Sequence, residues 1–482
     1  MTEEPLLQEN SREFVGTLAE DGDCSCSLTI LDQGDVEITY VSPSRYVPFF
    51  GYCGPPRRRV EKIQCEDLIA CRLDEESSQR DTSCRGRIQL VYMPVVNPDA
   101  KKPVRSLRTT PWLDLANAHS SLKTYFDQAT QAYSEKNILI IMNPKSGTGN
   151  AEALIEKYAL PVLKAAQARI DKVVTKAPRH ATEIAKDVTV GKYDVIMSAG
   201  GDGTFHEIVQ GLLDRVDWED CVSNVHLVQI PCGSGNALAA STGMWDVSSA
   251  AYTAIKGRVS RMDVASIIQP KTRRRLYSFL SVTYGLVANL DIGTEHLRWM
   301  GGNRFIWGAI QEIFSQKTYP VTISLLKQTA AGRVQAQGHK APPLDVLSSL
   351  LDSEGNVKGV DTDDRKSTSI VWDEEIDGTV QLFTLSNMPW LDMNFNLHPH
   401  AKLDQGTFNF LYSLGKQGIS KSFRLLTEAE HGNHMHLLEE RDVRAFRINP
   451  VAENTWLVID GEVIDRSVIY GEVHRNLLSI LT

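Results

Sequence analysis

The chain has 482 residues, enough for two or three domains with sizeable cores. Its net charge of −9 excludes nucleic-acid binding through a bulk positive field, and its 42% hydrophobic content is that of an ordinary globular protein. No apolar run reaches the roughly 20 residues of a membrane span. Met1-Thr2-Glu3-Glu4-Pro5 carries no signal core, and Thr2 stands where myristoylation requires a glycine, so a cytoplasmic location is expected. Six of the eight cysteines fall within the first 84 residues. Without a secretory signal they read as reduced thiols, and Cys24-Ser25-Cys26 lacks the second ligand pair of a zinc site.

In chain order, residues 1–12 read as a disordered tail. Residues 13–111 read as a small mostly-β domain, of pleckstrin-homology type. Val36, Ile38 and Tyr40 alternate with polar neighbours, as do Ile88, Leu90 and Tyr92, while Asp32-Gln33-Gly34-Asp35 and Asn97-Pro98-Asp99 are turn chemistry. Arg57-Arg58-Arg59 reads as a solvated loop in preference to a contact with anionic lipid. The spacing of Leu115, His119, Leu122, Tyr125, Phe126 and Ala129 predicts a helical linker over 112–135.

Residues 136–262 repeat strand, loop and helix. Three apolar runs, Asn137 to Met142, Asp194 to Ala199 and His226 to Ile230, each enter a glycine-containing loop. The first loop is Asn143-Pro144-Lys145-Ser146-Gly147-Thr148-Gly149-Asn150, the second Gly200-Gly201-Asp202-Gly203-Thr204, and the third Pro231-Cys232-Gly233-Ser234-Gly235-Asn236. After the second, Phe205, Ile208, Val209 and Leu212 share one helical face. Such loops at the carboxyl edge of a parallel sheet can cradle phosphate through glycine backbone and helix-start N–H groups. Neither the P-loop nor the G-x-G-x-x-G spacing is present. Asp202 reads as an Asx turn residue, as a base that deprotonates a hydroxyl nucleophile, or as a ligand of the metal that accompanies a nucleotide. From Asp263 to Thr482 strands dominate (Tyr277 to Ala288, Val321 to Leu326, Val380 to Ser386, Thr407 to Leu414, Trp456 to Ile459), interrupted by a flexible insert over 327–369.

These blocks resemble the diacylglycerol-kinase-like lipid kinases and, within them, the sphingosine kinases, from about residue 136 to the end. The resemblance implies a phosphofructokinase-like (Rossmann-like) α/β nucleotide domain over 136–262 and a β-sandwich lipid-binding domain over 263–482. It implies ATP as phosphoryl donor, with Mg2+. Asn143, Pro144, Lys145, Ser146 and Gly147 match the first nucleotide loop, and Thr175 opens the T-x-x-x-x-H-A segment. Gly200, Gly201, Gly203 and Thr204 surround the catalytic base Asp202, and Gly233, Ser234, Gly235 and Asn236 form the third loop. Asp460-Gly461-Glu462 would return to the phosphates, Asp460 with the ATP-bound Mg2+. Arg298 and Arg304 match two phosphate-binding arginines, whose planar fork suits paired oxygens. Asp263 matches a family aspartate, with a structural role equally in view.

The acceptor reading rests on Ser281 to Asp291, read as an apolar strand ending in a carboxylate. Ser281, Leu286 and Asp291 are the substrate-binding candidates: an anion there would select a sphingoid base, whose ammonium diacylglycerol and ceramide lack. Asn289 stands where the family often has another acid. Leu286, Val287, Phe305, Ile306, Ile310, Phe314, Leu403, Phe408 and Phe423 are candidate tail-tunnel residues. His398-Pro399-His400 is not read as a metal site. A lipid acceptor implies reversible peripheral membrane contact, for which Lys271-Thr272-Arg273-Arg274-Arg275 offers basic charge; a homodimer is an option the sequence leaves open. The alternatives are a ceramide or diacylglycerol kinase, an NAD kinase or phosphofructokinase, and a catalytically silent lipid- or protein-binding scaffold. The missing cysteine cluster after Cys232 counts against ceramide, and the third loop and Asp460-Gly461-Glu462 against the NAD kinase and phosphofructokinase.

Overall fold

The computed structural model describes residues 12–18, 25–31, 33–42, 46–47, 52–53, 57–73, 85–116, 125–130, 135–300, 303–327, 341–359 and 370–482, without the side chains of 12–18, 42, 46–47, 52–53, 57, 73, 85–86, 116, 298–300 and 303–306. It divides into two compact units, Met1–Lys136 with Tyr158–Arg169, and Asn137–Lys157 with Ile170–Thr482.

The first unit is built on an eight-stranded sheet. The alternation of Val36, Ile38 and Tyr40, and of Ile88, Leu90 and Tyr92, puts these side chains in one core with Leu28, Leu113 and Phe126. Gly34 turns with φ +83°, and Tyr125 Oη donates to its carbonyl at 3.0 Å. Three expectations change here. Arg12 opens a strand, so the tail ends before it. Arg57-Arg58-Arg59 begins the strand Arg57–Ile63. Leu113–Ala116 is a strand pairing with Arg12–Leu18 and Arg85–Tyr92, because Leu115 completes the apolar face of the sheet. The helix of this region is described only over 125–130; 117–124 and 131–134 lie outside the described residues.

In the second unit, β1 (Asn137–Met142), β2 (Arg169–Val174), β3 (Val195–Gly200) and β4 (His226–Pro231) neighbour one another in the order β2-β1-β3-β4. β1, β3 and β4 are parallel, with Ile138 opposite Val195 and Val195 opposite His226. Every residue of β3 is buried, which is why parallel strands read as unbroken apolar runs. The sheet continues through β12 (Ile469–Leu481), which pairs with β4 at Leu227 and Ile480, into the antiparallel strands β6 (Ser281–Gly285), β7 (Tyr319–Lys327), β8 (Glu374–Ser386), β9 (Phe408–Leu414), β10 (Glu439–Pro450) and β11 (Leu457–Ile459). Tyr284, Tyr319, Phe383, Phe410 and Phe446 fill the core of that part. The expected boundary at 262/263 falls inside β5 (Val259–Gln269), an eleven-residue strand paired with β12. Both sets of strands therefore share one hydrogen-bonded sheet of 14 strands in one unit.

The insert is not uniformly flexible. Residues 328–340 and 360–369 lie outside the described residues, but Leu344, Leu347, Leu350 and Val357 are buried against Ile268, Val468 and Tyr470. Glu472, 3% exposed, accepts from Asp345 N at 2.8 Å and Leu347 N at 2.9 Å. Glu472→Ala removes the acceptor of both amides, of which that of Leu347 is buried, and should cost about 1–3 kcal/mol. Differential scanning fluorimetry should show a lower Tm, and limited proteolysis should cut sooner within 341–359. The basic run beside the insert is partly committed: Lys271 pairs with Asp465 at 3.2 Å, and Arg275 donates to Ser266 Oγ and to the Pro342 carbonyl.

Candidate active site

The three loops leave the carboxyl ends of β1, β3 and β4 and touch through their glycines. A Cβ on Gly233 would lie 2.2 Å from Gly201 Cα, and one on Gly147 (φ +56°) 2.5 Å from the Cys232 carbonyl oxygen. Ser146 Oγ accepts from Gly201 N at 2.8 Å, and Asn143 Nδ2 reaches Thr204 Oγ1 at 3.4 Å. Asn236, with φ 60°, closes the third loop by accepting from Gly233 N and donating to Gly233 O, both at 2.8 Å. Thr175 lies beside them, its N–H bonded to Met142 O at 2.8 Å. It precedes α1 (His180–Asp187), whose start is held by Glu207: its oxygens accept from Arg179 N at 2.9 Å and Ala181 N at 3.0 Å.

Asp202 begins α2 (Asp202–Leu213). Its Oδ2 accepts from Ala237 N at 3.0 Å, at the start of α3 (Ala237–Ser241), and its Oδ1 from Gln229 Nε2 at 3.1 Å and Leu238 N at 3.3 Å. Burial pushes the carboxyl above its ordinary value, and these bonds pull the other way. Gln229 is fully buried and fixed from behind, its Oε1 accepting from Ala239 N at 2.7 Å. Sequence reading passed over Gln229 as one more strand residue. Gln229→Leu should lower kcat about tenfold, as one oriented hydrogen bond to the base is lost. Since the Gln229 bond lowers the Asp202 pKa, the acid limb of the pH–rate profile should also move upward, which a purely structural role would not cause.

Asp460 and Gly461 form a two-residue hairpin between β11 and the strand Glu462–Ile464, with φ 50° and 86°. The Asp460 carboxylate is saturated. Oδ1 accepts from Ser278 Oγ at 2.7 Å, Leu280 N at 3.0 Å and Ser281 N at 2.8 Å; Oδ2 accepts from Phe279 N at 3.0 Å and His206 Nδ1 at 2.9 Å. Five donors fill about four lone-pair positions, so Asp460 does not fit the expected metal role and instead clasps the turn 278–281 to α2. Among the described residues no group of three or more His, Cys, Asp or Glu side chains could hold a metal ion. The Glu462 carboxylate lies beside the catalytic turn, 3.3 Å from where a Cβ on Gly203 would sit. Asp263 is buried as a strut: it accepts from Gly406 N at 2.5 Å and Asn476 N at 2.7 Å, and burial pushes its carboxyl up to about 7. The side chains of Arg298 and Arg304 lie outside the described residues.

A single cavity of ≈ 670 Å³ runs from the glycine loops into the antiparallel part. Asn143, Pro144, Lys145, Ser146, Gly147, Thr175, Gly201, Asp202, Gly203, Thr204, Ser234, Gly235, Asp460, Gly461 and Glu462 line it, as do Ser281, Leu286 and Asp291, whereas Gly200, Gly233 and Asn236 do not. Asp291 is not at a strand end. The strand stops at Gly285, whose φ of +71° and closeness to the Tyr319 ring (a Cβ there would lie 2.8 Å from it) require glycine, and α4 (Leu286–Gly293) begins. On α4, Leu286, Val287, Leu290 and Asp291 face the cavity, the positions one helical face presents. Asn289 is turned about 200° from Asp291. It donates to Tyr319 Oη at 2.6 Å and accepts from Thr455 Oγ1 at 2.8 Å, so an acid at 289 would not have faced the same space. Glu295, one turn beyond Asp291, also lines the cavity, and its i+4 spacing was the available signal.

Of the proposed tunnel residues, Leu286 and Val287 line the cavity. Leu403 packs on the α/β core and Phe408 in the antiparallel core. Phe314 is 62% exposed, its ring 5.9 Å from that of Phe423. Ile310 is not among the lining residues. The side chains of Phe305 and Ile306 lie outside the described residues. The apolar wall comes instead from Leu382, Leu397, Leu425, Leu438 and Ile313.

Residues 137–267, which contain all three loops, match the diacylglycerol kinase catalytic domain. Sphingoid long chain base kinase 5 of Saccharomyces cerevisiae is 40% identical over 208 residues, 42% of this chain and 30% of that longer protein. Sphingosine kinase 1 of Arabidopsis thaliana is 30% identical over 345 residues, 69% of each chain. The chain belongs to the sphingosine kinase family. A Bacillus anthracis crystal structure, provisionally assigned as a diacylglycerol kinase, shares the fold with a TM-score of 0.51 at 18% identity, over 72% of this chain and 95% of that one. In this sphingosine kinase family member, the catalytic-domain match ends within β5, so Asp291 and the apolar wall lie beyond it.

Proposed function

We propose that the protein transfers the γ-phosphate of ATP to the primary hydroxyl of sphingosine or a related sphingoid base. One observation carries this reading: a single cavity joins three phosphate-suited loops to an apolar wall, with Asp202 and Asp291 among its lining residues. The loop N–H groups, with Ser146, Thr204 and Lys145, bind and orient the nucleotide phosphates. Asp202 accepts the proton of the acceptor hydroxyl as that oxygen attacks phosphorus, and the bond to the leaving ADP oxygen breaks. Asp291 holds the ammonium of the base, which places the hydroxyl towards Asp202. Mg2+, when bound with ATP, neutralises charge on its phosphates. Among the described residues no helix is long and apolar enough to cross a membrane. A lipid acceptor would be taken up through reversible peripheral contact with a bilayer.

The test is radiolabelled ATP turnover against sphingosine, ceramide, diacylglycerol and NAD in parallel. Labelling of sphingosine alone is expected. Labelling of ceramide or diacylglycerol at comparable rates would remove the ammonium from the argument and leave a lipid kinase of different specificity.

A further inference from the structure

The wall of the acceptor cavity carries a polar station among its leucines. In the pairing of β8 with β9, Val380 lies opposite Leu414 and Leu382 opposite Ser413, so Gln381 is the extra residue of a β-bulge. A bulge re-aims a side chain: Gln381 and its neighbour Leu382 both line the cavity, where regular alternation would send one to each face of the sheet. Gln381 is 2% exposed. Its Oε1 accepts from Gln417 N at 3.1 Å, while its Nε2 has no hydrogen-bond partner. Ser413 Oγ, also lining the cavity, accepts from Leu382 N at 3.2 Å and keeps a proton to donate. A buried amide N–H left unanswered is costly, and no acceptor among the described residues lies within hydrogen-bond reach of this one.

The register places this station along the lipid. Ser281, whose N–H is bonded to Asp460, pairs with Ser386, and Gly285 pairs with Leu382. The bulge is therefore four strand residues, roughly 13 Å, further from the nucleotide end. A sphingoid base whose reacting hydroxyl lies at the nucleotide end would bring its hydrocarbon chain to this station. We propose that Gln381 and Ser413 form a specificity-determining subsite that hydrogen-bonds a hydroxyl on the chain of the sphingoid base. The inference rests on the sphingoid-base reading above. A plain alkyl chain leaves the amide unpaired, and sites built to pair a hydroxyl discriminate against analogues lacking it.

The experiment compares sphinganine with sphinganines bearing one added hydroxyl at successive chain carbons, measuring kcat/KM and, without ATP, equilibrium binding. The wild type is expected to favour one window of hydroxyl positions by roughly tenfold, the size of one net hydrogen bond. Gln381→Met should abolish that preference and Ser413→Ala should reduce it. Equal kcat/KM across the series in the wild type overturns the proposal, as does a preference that survives Gln381→Met. Should the variants fail to fold, the wild-type series decides alone. If no sphingoid base is phosphorylated, the functional reading itself falls, a result distinct from turnover without discrimination.

Discussion

Asp202→Asn is expected to lower kcat by about 10²–10⁴-fold, the range lost with a general base. The geometry adds a second effect. Ala237 N, Leu238 N and Gln229 Nε2 all donate to the carboxylate. An asparagine must turn its own NH2 towards at least one of these donors, so the start of α3 shifts and the third loop moves with it. Affinity for ATP should therefore weaken a few-fold, while the loss in transfer is far larger. Single-turnover phosphoryl transfer and nucleotide binding by fluorescence separate the two. A variant with kcat within tenfold of wild type would remove Asp202 from the chemistry. Burial raises the Asp202 pKa, and the carboxylate acts only when ionised. Wild-type activity should accordingly fall on the acid side at a pH above the ordinary carboxylate range.

Asp291→Asn is expected to lower kcat/KM for sphingosine by about 10–100-fold, the worth of a charge-assisted hydrogen bond, with KM for ATP unchanged. The carboxylate lies on the cavity face of α4, its Oδ2 3.4 Å from where a Cβ on Gly461 would sit, next to the hairpin that also carries Glu462. Substitution removes the charge but keeps the shape, so an N-acylated base, which has no ammonium, should be used equally poorly by both proteins. Steady-state kinetics with the two acceptors checks this. An equal loss for both would mean that Asp291 shapes the pocket without reading charge.

The nucleotide half of the site was legible because its information is local. Strand, glycine turn and helix follow one another within a few residues, and the contacts of Gly147, Gly201 and Gly233 need no side chain that sequence would have to place. Asp460 shows the opposite case: as Asp-Gly it signals a hairpin, but its clasp role depends on Ser278 and on His206, 182 and 254 residues away in sequence. Leu115 fits a helical spacing and a strand alternation alike, and pairing with two neighbouring strands decided for the strand. Asp291 reads as the end of an apolar strand, but Gly285, with its positive φ beside the Tyr319 ring, ends the strand and α4 carries Asp291 instead.

By itself, the sequence determined the parallel sheet, its three phosphate-suited loops, Asp202, and the kinship with sphingosine kinases, since periodicity and short motifs are properties of neighbouring residues. Only the tertiary structure decided which carboxylates face the cavity, which leucines wall it, that the insert docks on Glu472, and that a bulge brings Gln381 to the cavity wall. Those outcomes depend on strand register and helix rotation, which are set by packing between segments far apart in the chain.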